Sequence, residues 1–123
     1  MPDVRLKRVY DPPDPEDGRR VLIDRLWPRG ISKNEARVDA WLRDVAPSDE
    51  LRRFFGHDPA RWEEFRARYR VELEAPERAA ALEQLRAWAA QGRVTLLFAA
   101  RDAERNNAVV LKERLEEGGG SRG

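Results

Sequence analysis

The segment VTLLFAA, Val94 to Ala100, decides the fold that the sequence predicts. It is apolar at consecutive positions, which is typical of a strand buried on both faces. A second segment, RVLIDRL at residues 20–26, contains the consecutive apolar residues VLI. Strands of this kind belong to parallel sheets that helices cover on both sides. We therefore predict a small α/β sandwich, with a mostly parallel or mixed sheet of about four strands flanked by amphipathic helices.

Two further segments are predicted as strands. Residues 4–10 are rich in β-branched and aromatic side chains, and a proline-rich loop follows at residues 11–18. Residues 38–45, VDAWLRDV, fit a strand about as well as a helix, and we favour the strand. The link from Asp11 to Arg19 is shorter than the dozen residues that a parallel crossover normally needs. The first two strands are therefore either antiparallel or separated by another strand.

Helix-capping residues mark the starts of the predicted helices. Ser32 and Glu35 have the spacing of a capping box, and Ser48 is the predicted N-cap of a helix over residues 49–55. Asp102 is the predicted cap of a closing helix over residues 104–115. The remaining predicted helices begin at Asp58–Pro59 and at Pro76, and the second of them ends at Gly92. Residues 1–117 are predicted to form one domain, and residues 118–123 a frayed tail.

Composition excludes several classes of protein. The 24 basic and 23 acidic residues nearly cancel, which argues against a nucleic-acid partner. The chain has no cysteine, so disulfides and thiolate chemistry are excluded. Its apolar stretches are too short to span a membrane, and residues 1–11 lack the apolar segment of a signal peptide. We therefore expect a cytoplasmic protein without a membrane partner.

Polar side chains follow two of the predicted strands where each strand ends. Asp24, Arg25 and Arg29 follow the VLI segment, and Arg101 and Asp102 follow VTLLFAA. Tyr10 ends the first strand. Ligands of open α/β sheets bind beyond the carboxyl ends of the strands. If the strands are parallel, these side chains meet at one edge of the sheet and form a polar pocket.

The closing helix supplies a second argument for that pocket. Asn106 and Asn107 are predicted near its first turn, with Asn107 on the inward face. A helix amino terminus presents free N–H groups and partial positive charge, which suit an anion. We expect a small anionic or nucleotide-type ligand, bound by Tyr10, Arg25, Arg29, Arg101, Asn106 and Asn107. Asp24 and Asp102 are the candidate catalytic carboxylates, as general acid or base.

Other interpretations of these residues stay open. The same aspartates and arginines could pair with each other or cap helices, which requires no ligand. The single histidine, His57, has no helical partner with metal-ligand spacing, so neither a metal nor a cofactor is predicted. The sequence contains neither a phosphate-binding glycine loop of the Walker type nor a visible Ser/His/Asp arrangement. Enzymatic activity, ligand identity and oligomeric state are left undecided.

A DNA-binding or regulatory module is the alternative function. Residues 49–74 form two predicted helices separated by a short turn, which resembles a helix-turn-helix. The aromatic residues of the second helix share one core-facing stripe, however, and Glu63, Glu64 and Glu72 would repel phosphates. We therefore favour the pocket over DNA.

Several motifs, in order, resemble those of the YeaO-like family, a bacterial family of unknown function. They are RVYD, VLIDRLWPRG, W-L-x-D-V-A-P-S, FFGHDPARWEEF and LLFAARD-x-x-x-NNA, and they extend from Arg8 to about Leu115. The resemblance implies a small cytoplasmic α/β domain and no particular activity.

A longer branch of the same superfamily is similar at two places. Its Asp-x-Arg strand end and Pro-Arg turn resemble Asp24, Arg25, Pro28 and Arg29 of this chain. Where that branch has a Cys-His-Arg segment at a helix start, this chain has Arg105, Asn106 and Asn107. The resemblance therefore implies polar groups at the same strand ends, without thiol or imidazole chemistry.

Overall fold

The chain folds as an α/β domain around a four-stranded parallel sheet. The computed structural model describes residues 2–121. The sheet order is β1-β4-β2-β3, and each neighbouring pair is parallel, which confirms the predicted fold class. The strands are β1 (Val4–Arg8), β2 (Arg19–Leu22), β3 (Ala40–Trp41) and β4 (Val94–Phe98). The helices are α1 (Lys33–Ala36), α2 (Asp49–Phe55), α3 (Trp62–Glu72), α4 (Pro76–Gln91) and α5 (Asn107–Ser121).

β4 lies between β1 and β2. Val94 is in register with Val4 on one side and with Arg19 on the other. Beyond the strand ends, the Val9 and Ile23 N–H groups donate to carbonyls of β4 at 2.8 and 3.1 Å. The short link between β1 and β2 therefore spans an intervening strand. Of the two arrangements that the sequence left open, the separated one is confirmed.

The sheet is buried on both faces, as the apolar VTLLFAA segment requires. Val94, Leu96 and Phe98 pack into the larger core, which helices α2 to α5 cover. Leu97 packs on the opposite face in a smaller core with Leu22, Val9 and Ala36. Full burial of one such side chain stabilises the fold by about 1.5–3 kcal/mol, so these strands are tightly held.

The amino end of the sheet is closed by a buried ion pair. Asp17 accepts hydrogen bonds from the Arg20 guanidinium at 2.5 Å and from Lys7 Nζ at 3.0 Å. Arg20 is only 4% exposed, and its remaining N–H groups donate to the carbonyls of Ala36 and Arg37. The start of β2 is therefore held by contacts with β1 and with the end of α1.

The structure corrects four element predictions. The predicted strand at residues 38–45 is only Ala40–Trp41, because the chain turns into a 3-10 helix at Arg43–Val45. A 3-10 turn, Pro59–Arg61, follows the Asp58 cap, so α3 itself begins at Trp62. At its carboxyl end, α5 continues to Ser121 and enters the predicted tail, of which residues 122–123 lie outside the described residues.

The fourth correction concerns the start of α5. The Asp102 side chain accepts from the N–H groups of Glu104 and Arg105 and makes a turn, so it does not cap the helix. Asn106 is the residue before α5, and its Oδ1 accepts from Val109 N at 3.1 Å. α5 therefore begins at Asn107, three residues later than the sequence predicted. Within residues 2–121, each helix is too short or too polar to cross a membrane.

Candidate functional site

A cleft of about 520 Å³ opens beyond the carboxyl ends of the central strands. Three of the chain segments that line it follow β1, β2 and β4, because these strands all end at this edge of the parallel sheet. The segments after the strands contribute Tyr10, residues 24–29 and residues 99–100. The helical segments contribute Pro47 before α2, residues 52–57 around the end of α2, Phe65 of α3 and residues 105–107 at the start of α5.

The Asp24 carboxylate lies in the floor of the cleft and is held on both oxygens. Oδ2 accepts from Ala99 N at 2.9 Å, and Oδ1 accepts from Asn107 Nδ2 at 3.0 Å. The Trp41 indole N–H donates to the Asp24 carbonyl at 2.8 Å, which fixes the backbone as well. Asp24 therefore joins the ends of β2 and β4 to the start of α5.

Burial raises the pKa of Asp24 above its ordinary value. The hydrogen bonds from Asn107 and Ala99 and the positive charge of Arg52 lower the pKa of Asp24, but they do not cancel the effect of burial. Desolvation disfavours the charged form of a carboxyl group. Asp24 is therefore more easily protonated in the folded chain than an exposed aspartate.

Five arginines line the cleft around this single aspartate: Arg25, Arg29, Arg52, Arg53 and Arg105. Two carboxylates outside the lining partly neutralise three of them. Asp49 pairs with Arg25 at 3.4 Å and with Arg52 at 2.8 Å, and Asp102 pairs with Arg105 at 3.2 Å. Within residues 2–121, Arg29 and Arg53 have no carboxylate partner. The cleft therefore has an excess of positive charge.

Tyr10 supports one side of the cleft. Its hydroxyl group donates to the Arg29 carbonyl at 2.8 Å, which ties the WPRG turn to the end of β1. The Arg8 guanidinium lies 4.9 Å from the Tyr10 ring and donates to the carbonyls of Ala99 and Ala100. The Arg29 side chain is thus carried by an anchored turn.

Aromatic side chains form the opposite wall. Phe55 stacks on Phe65 with ring centroids 4.5 Å apart, and His57 lies 6.2 Å from Phe55. His57 adopts a φ of 59°, directly after Gly56 with a φ of 51°. Left-handed backbone is uncommon for a residue other than glycine. This tight turn at the end of α2 places the chain's single histidine in the cleft lining.

Six of the eight predicted site residues line this one cleft: Asp24, Tyr10, Arg25, Arg29, Asn106 and Asn107. The structure does not bring Arg101 and Asp102 into the lining. The Asp102 carboxyl is engaged in its own turn, and hydrogen bonds from Glu104 N, Arg105 N and the Arg105 guanidinium lower its pKa.

Sequence reasoning missed the contribution of α2 and of Arg105. Arg52, Arg53, Phe55 and His57 come from a segment that was interpreted as half of a helix-turn-helix. A usable signal was present in the sequence, because the glycine of "FFGHDP" favours a left-handed turn that would direct His57 away from the α2 axis.

The helix-turn-helix interpretation finds little support in the surroundings of α3. Arg66 pairs with Glu113 at 2.8 Å, and Arg70 pairs with Glu117 at 2.5 Å. Both glutamates belong to α5, which packs against α3. The arginines that would have to contact phosphates are therefore engaged within the domain.

Among the described side chains, histidines and acidic residues form no group of three that could hold a metal ion. The cleft itself contains one carboxylate and one imidazole. Its chemistry is thus that of an arginine-rich site with a single buried acid.

Fold and cleft together define a small parallel α/β domain with a cationic site at the carboxyl edge of its sheet. Comparison with known proteins identifies the family to which the chain belongs. Residues 3–120 match the model of a family described as the inactive DUF488-N3 subclade, and the chain belongs to this YeaO-like family. The predicted resemblance is thereby confirmed.

Curated relatives agree with this assignment. The chain is 47% identical to the uncharacterized protein Rv3073c of Mycobacterium tuberculosis over 91% of its length and 92% of that protein. It is 39% identical to the uncharacterized protein YeaO of Escherichia coli, over 92% of its length and 96% of that protein. No solved structure matches the chain significantly.

Proposed function

We propose that the chain is a binding protein for a small anion, such as a phosphate, a carboxylate or a nucleotide, which it holds in the cleft without converting it. The observation that carries this proposal is the convergence of five arginines, two of them without a carboxylate partner in the described residues, on one cleft. Guanidinium groups donate forked hydrogen bonds to anionic oxygens.

Binding without turnover is supported by three observations. The family to which the chain belongs is described as inactive. The one carboxylate in the cleft lining accepts hydrogen bonds from Ala99 and Asn107, and this engagement suits a structural acceptor better than a base. Asp102, the second candidate catalytic residue, lies outside the lining.

Titration calorimetry with inorganic phosphate, acetate and a nucleoside monophosphate tests this function. We expect at least one of these anions to bind the native protein, with an affinity that falls as salt is raised, because exposed charges are screened. Arg29→Ala and Arg53→Ala should each weaken binding about tenfold or more, which is the usual value of a charge-assisted hydrogen bond.

Arg5→Ala is the matched control. Arg5 is an exposed arginine near the amino end of β1, at the opposite edge of the sheet from the cleft. Its replacement should leave the affinity unchanged. If the native protein binds none of the anions at low salt, or if all three variants lose affinity equally, the proposed function is wrong.

A further inference from the structure

The cleft combines three kinds of surface, and an inorganic anion would use only one of them. Arginines provide the cationic part, aromatic and proline side chains provide apolar walls, and Asp24 provides a single acceptor in the floor. The cleft has a volume of about 520 Å³, within the range of about 300–1,000 Å³ that is typical of sites for organic ligands. A bare phosphate or acetate would leave the walls and the floor uncontacted.

The apolar walls are flat and rigidly held. Phe55 and Phe65 stack with an interplanar angle of 21°, and both are buried. On the other side, Trp27 packs edge-on against Trp41 at 5.5 Å, and its indole N–H donates to the Ile31 carbonyl at 2.8 Å. Because Phe55 and Phe65 are buried against each other, the partly exposed Trp27 is the ring available for stacked or edge-to-face contact with a planar ligand.

Leu26 extends the apolar surface at the mouth of the cleft. Leu26 is 63% exposed, follows Arg25 directly in the chain and lines the same cleft. Leu26 adds apolar surface to the aromatic and proline side chains of the same cleft. An apolar ligand body would cover Leu26 while its anionic group meets the arginines.

Asp24 constrains the part of the ligand that reaches the floor. Each of its oxygens accepts one hydrogen bond from the protein, whereas an ionised carboxylate accepts about four. The remaining lone pairs require donors, and the negative charge would repel the anionic group of the ligand. The group next to Asp24 must therefore be a hydrogen-bond donor, separated from the anionic end.

Resting on the proposed function, we infer that the cleft selects a planar organic anion: a phosphate or carboxylate attached to an apolar ring that carries an amino, amidine or hydroxyl donor at its far end. The arginines bind the anion, the aromatic walls bind the ring, and Asp24 accepts the donor. Asp24 is on this basis a specificity-determining residue of the binding site.

A series of four probes separates these contributions in the native protein. Inorganic phosphate offers the anion alone, phenyl phosphate adds the ring, and the 3- and 4-aminophenyl phosphates add a donor. We expect calorimetric affinity to rise about tenfold from inorganic phosphate to phenyl phosphate, by burial of the ring. The affinity of the better aminophenyl isomer should be a further fivefold to tenfold higher, which is about the contribution of one hydrogen bond.

Asp24→Asn tests the role of the floor, and Asp102→Asn, on the neighbouring loop outside the lining, is its matched control. The ratio of aminophenyl to phenyl phosphate affinity should fall toward one in Asp24→Asn and stay high in Asp102→Asn. If Asp24→Asn does not fold, the probe series on the native protein decides alone.

The outcomes distinguish selectivity for a planar organic anion from anion binding itself. If inorganic phosphate, phenyl phosphate and the aminophenyl phosphates bind equally well, the selectivity inference is overturned and anion binding stands. Equal affinity for the phenyl and aminophenyl probes likewise overturns it. If none of the probes or other anions binds, the proposed function itself fails, and the inference fails with it.

Discussion

Asn107 and Asp24 are joined side chain to side chain, with Asn107 Nδ2 lying 3.0 Å from Asp24 Oδ1. The two residues are 83 positions apart in the chain. One is the first residue of α5, and the other follows the second strand of the sheet. The same amide group lies 3.4 Å from the Ile23 carbonyl. This contact therefore determines how the closing helix meets the sheet at the cleft floor.

Replacement of Asn107 by alanine should destabilise the fold. The variant leaves one oxygen of the partly buried Asp24 without its protein donor, which costs about 1–3 kcal/mol. Urea denaturation would measure the change in the free energy of unfolding. Asn34→Ala, at an exposed position of α1, is the control and should stay within about 0.5 kcal/mol. Equal effects of the two substitutions would contradict the role given to this contact.

The raised pKa of Asp24 predicts a specific dependence of stability on pH. The folded chain binds the Asp24 proton more tightly than the unfolded chain, in which the pKa of this carboxyl group is near 3.8. The stabilisation from this proton is therefore complete below pH 3.8 and is lost as pH rises through the folded pKa.

Comparison of the native protein with Asp24→Asn isolates this effect. The free energy of unfolding of the native protein, relative to the variant, should fall as pH rises from 3.8 and level off above the folded pKa. Chemical denaturation at several pH values checks it. A difference that is constant across this range would show that Asp24 titrates normally.

Asp17 should respond to pH in the opposite sense. Burial opposes its ionisation, but hydrogen bonds from Lys7, the Asp14 backbone and Arg20 outweigh burial and lower its pKa. Its contribution to stability is therefore present above pH 3.8 and is lost as pH falls through the folded pKa. At neutral pH, Asp17→Ala should cost about 3–5 kcal/mol, because Arg20 is left buried without its partner.

Glu83→Ala serves as the comparison for Asp17→Ala. It removes an ion pair with Arg86 in which the glutamate is exposed, and such pairs contribute about 0–1 kcal/mol. Thermal denaturation of both variants at pH 7 would rank them. Similar losses in the two would mean that the Asp17 pair is no more important than a surface pair.

Gly18 and Gly30 offer a test of crowding at two glycines with similar φ angles. Their φ angles are +66° and +77°, so alanine is strained at both positions by about 1–2 kcal/mol. A Cβ at Gly18 would also lie 2.4 Å from the Arg93 carbonyl oxygen, whereas one at Gly30 meets nothing within 4 Å. Gly18→Ala should therefore lower the melting temperature clearly more than Gly30→Ala. Equal shifts would contradict the close approach at Gly18.

The absence of turnover is testable with a coloured phosphate ester. We expect 4-nitrophenyl phosphate to bind through its anionic group and to release nitrophenolate no faster with the protein than in buffer. Absorbance over several hours measures the rate. Release above the buffer rate that disappears in Arg29→Ala would show that the cleft is catalytic.

The sequence was sufficient for the fold class and for the site residues that directly follow the central strands, for a physical reason. Val94 to Phe98 and the VLI segment are apolar without alternation, and that pattern requires a sheet covered on both faces. Side chains directly after such strands, Asp24 above all, must then lie at the carboxyl edge. The position of these residues directly after a strand is therefore enough to predict that they lie at the carboxyl edge of the sheet.

Residues that reach the cleft from α2 could not be placed in this way. The positions of Arg52 and His57 depend on how α2 packs against the sheet, which is a long-range property that local periodicity does not encode. The start of α5 was misplaced for a different reason. Asp102 and Asn106 are both good capping residues, and only the backbone shows that Asp102 closes a turn while Asn106 caps the helix.

The central position of β4 has a consequence for synthesis on the ribosome. β1 and β2 do not pair with each other, and each is hydrogen-bonded to a strand that is translated only at residues 94–98. A nascent chain that has emerged only to α4 can pair β2 with β3, but β1 and the other edge of β2 lack their ladder partner. Completion of the sheet must wait for the final quarter of the polypeptide, and these unpaired strand edges are the ones that chaperones would need to shield.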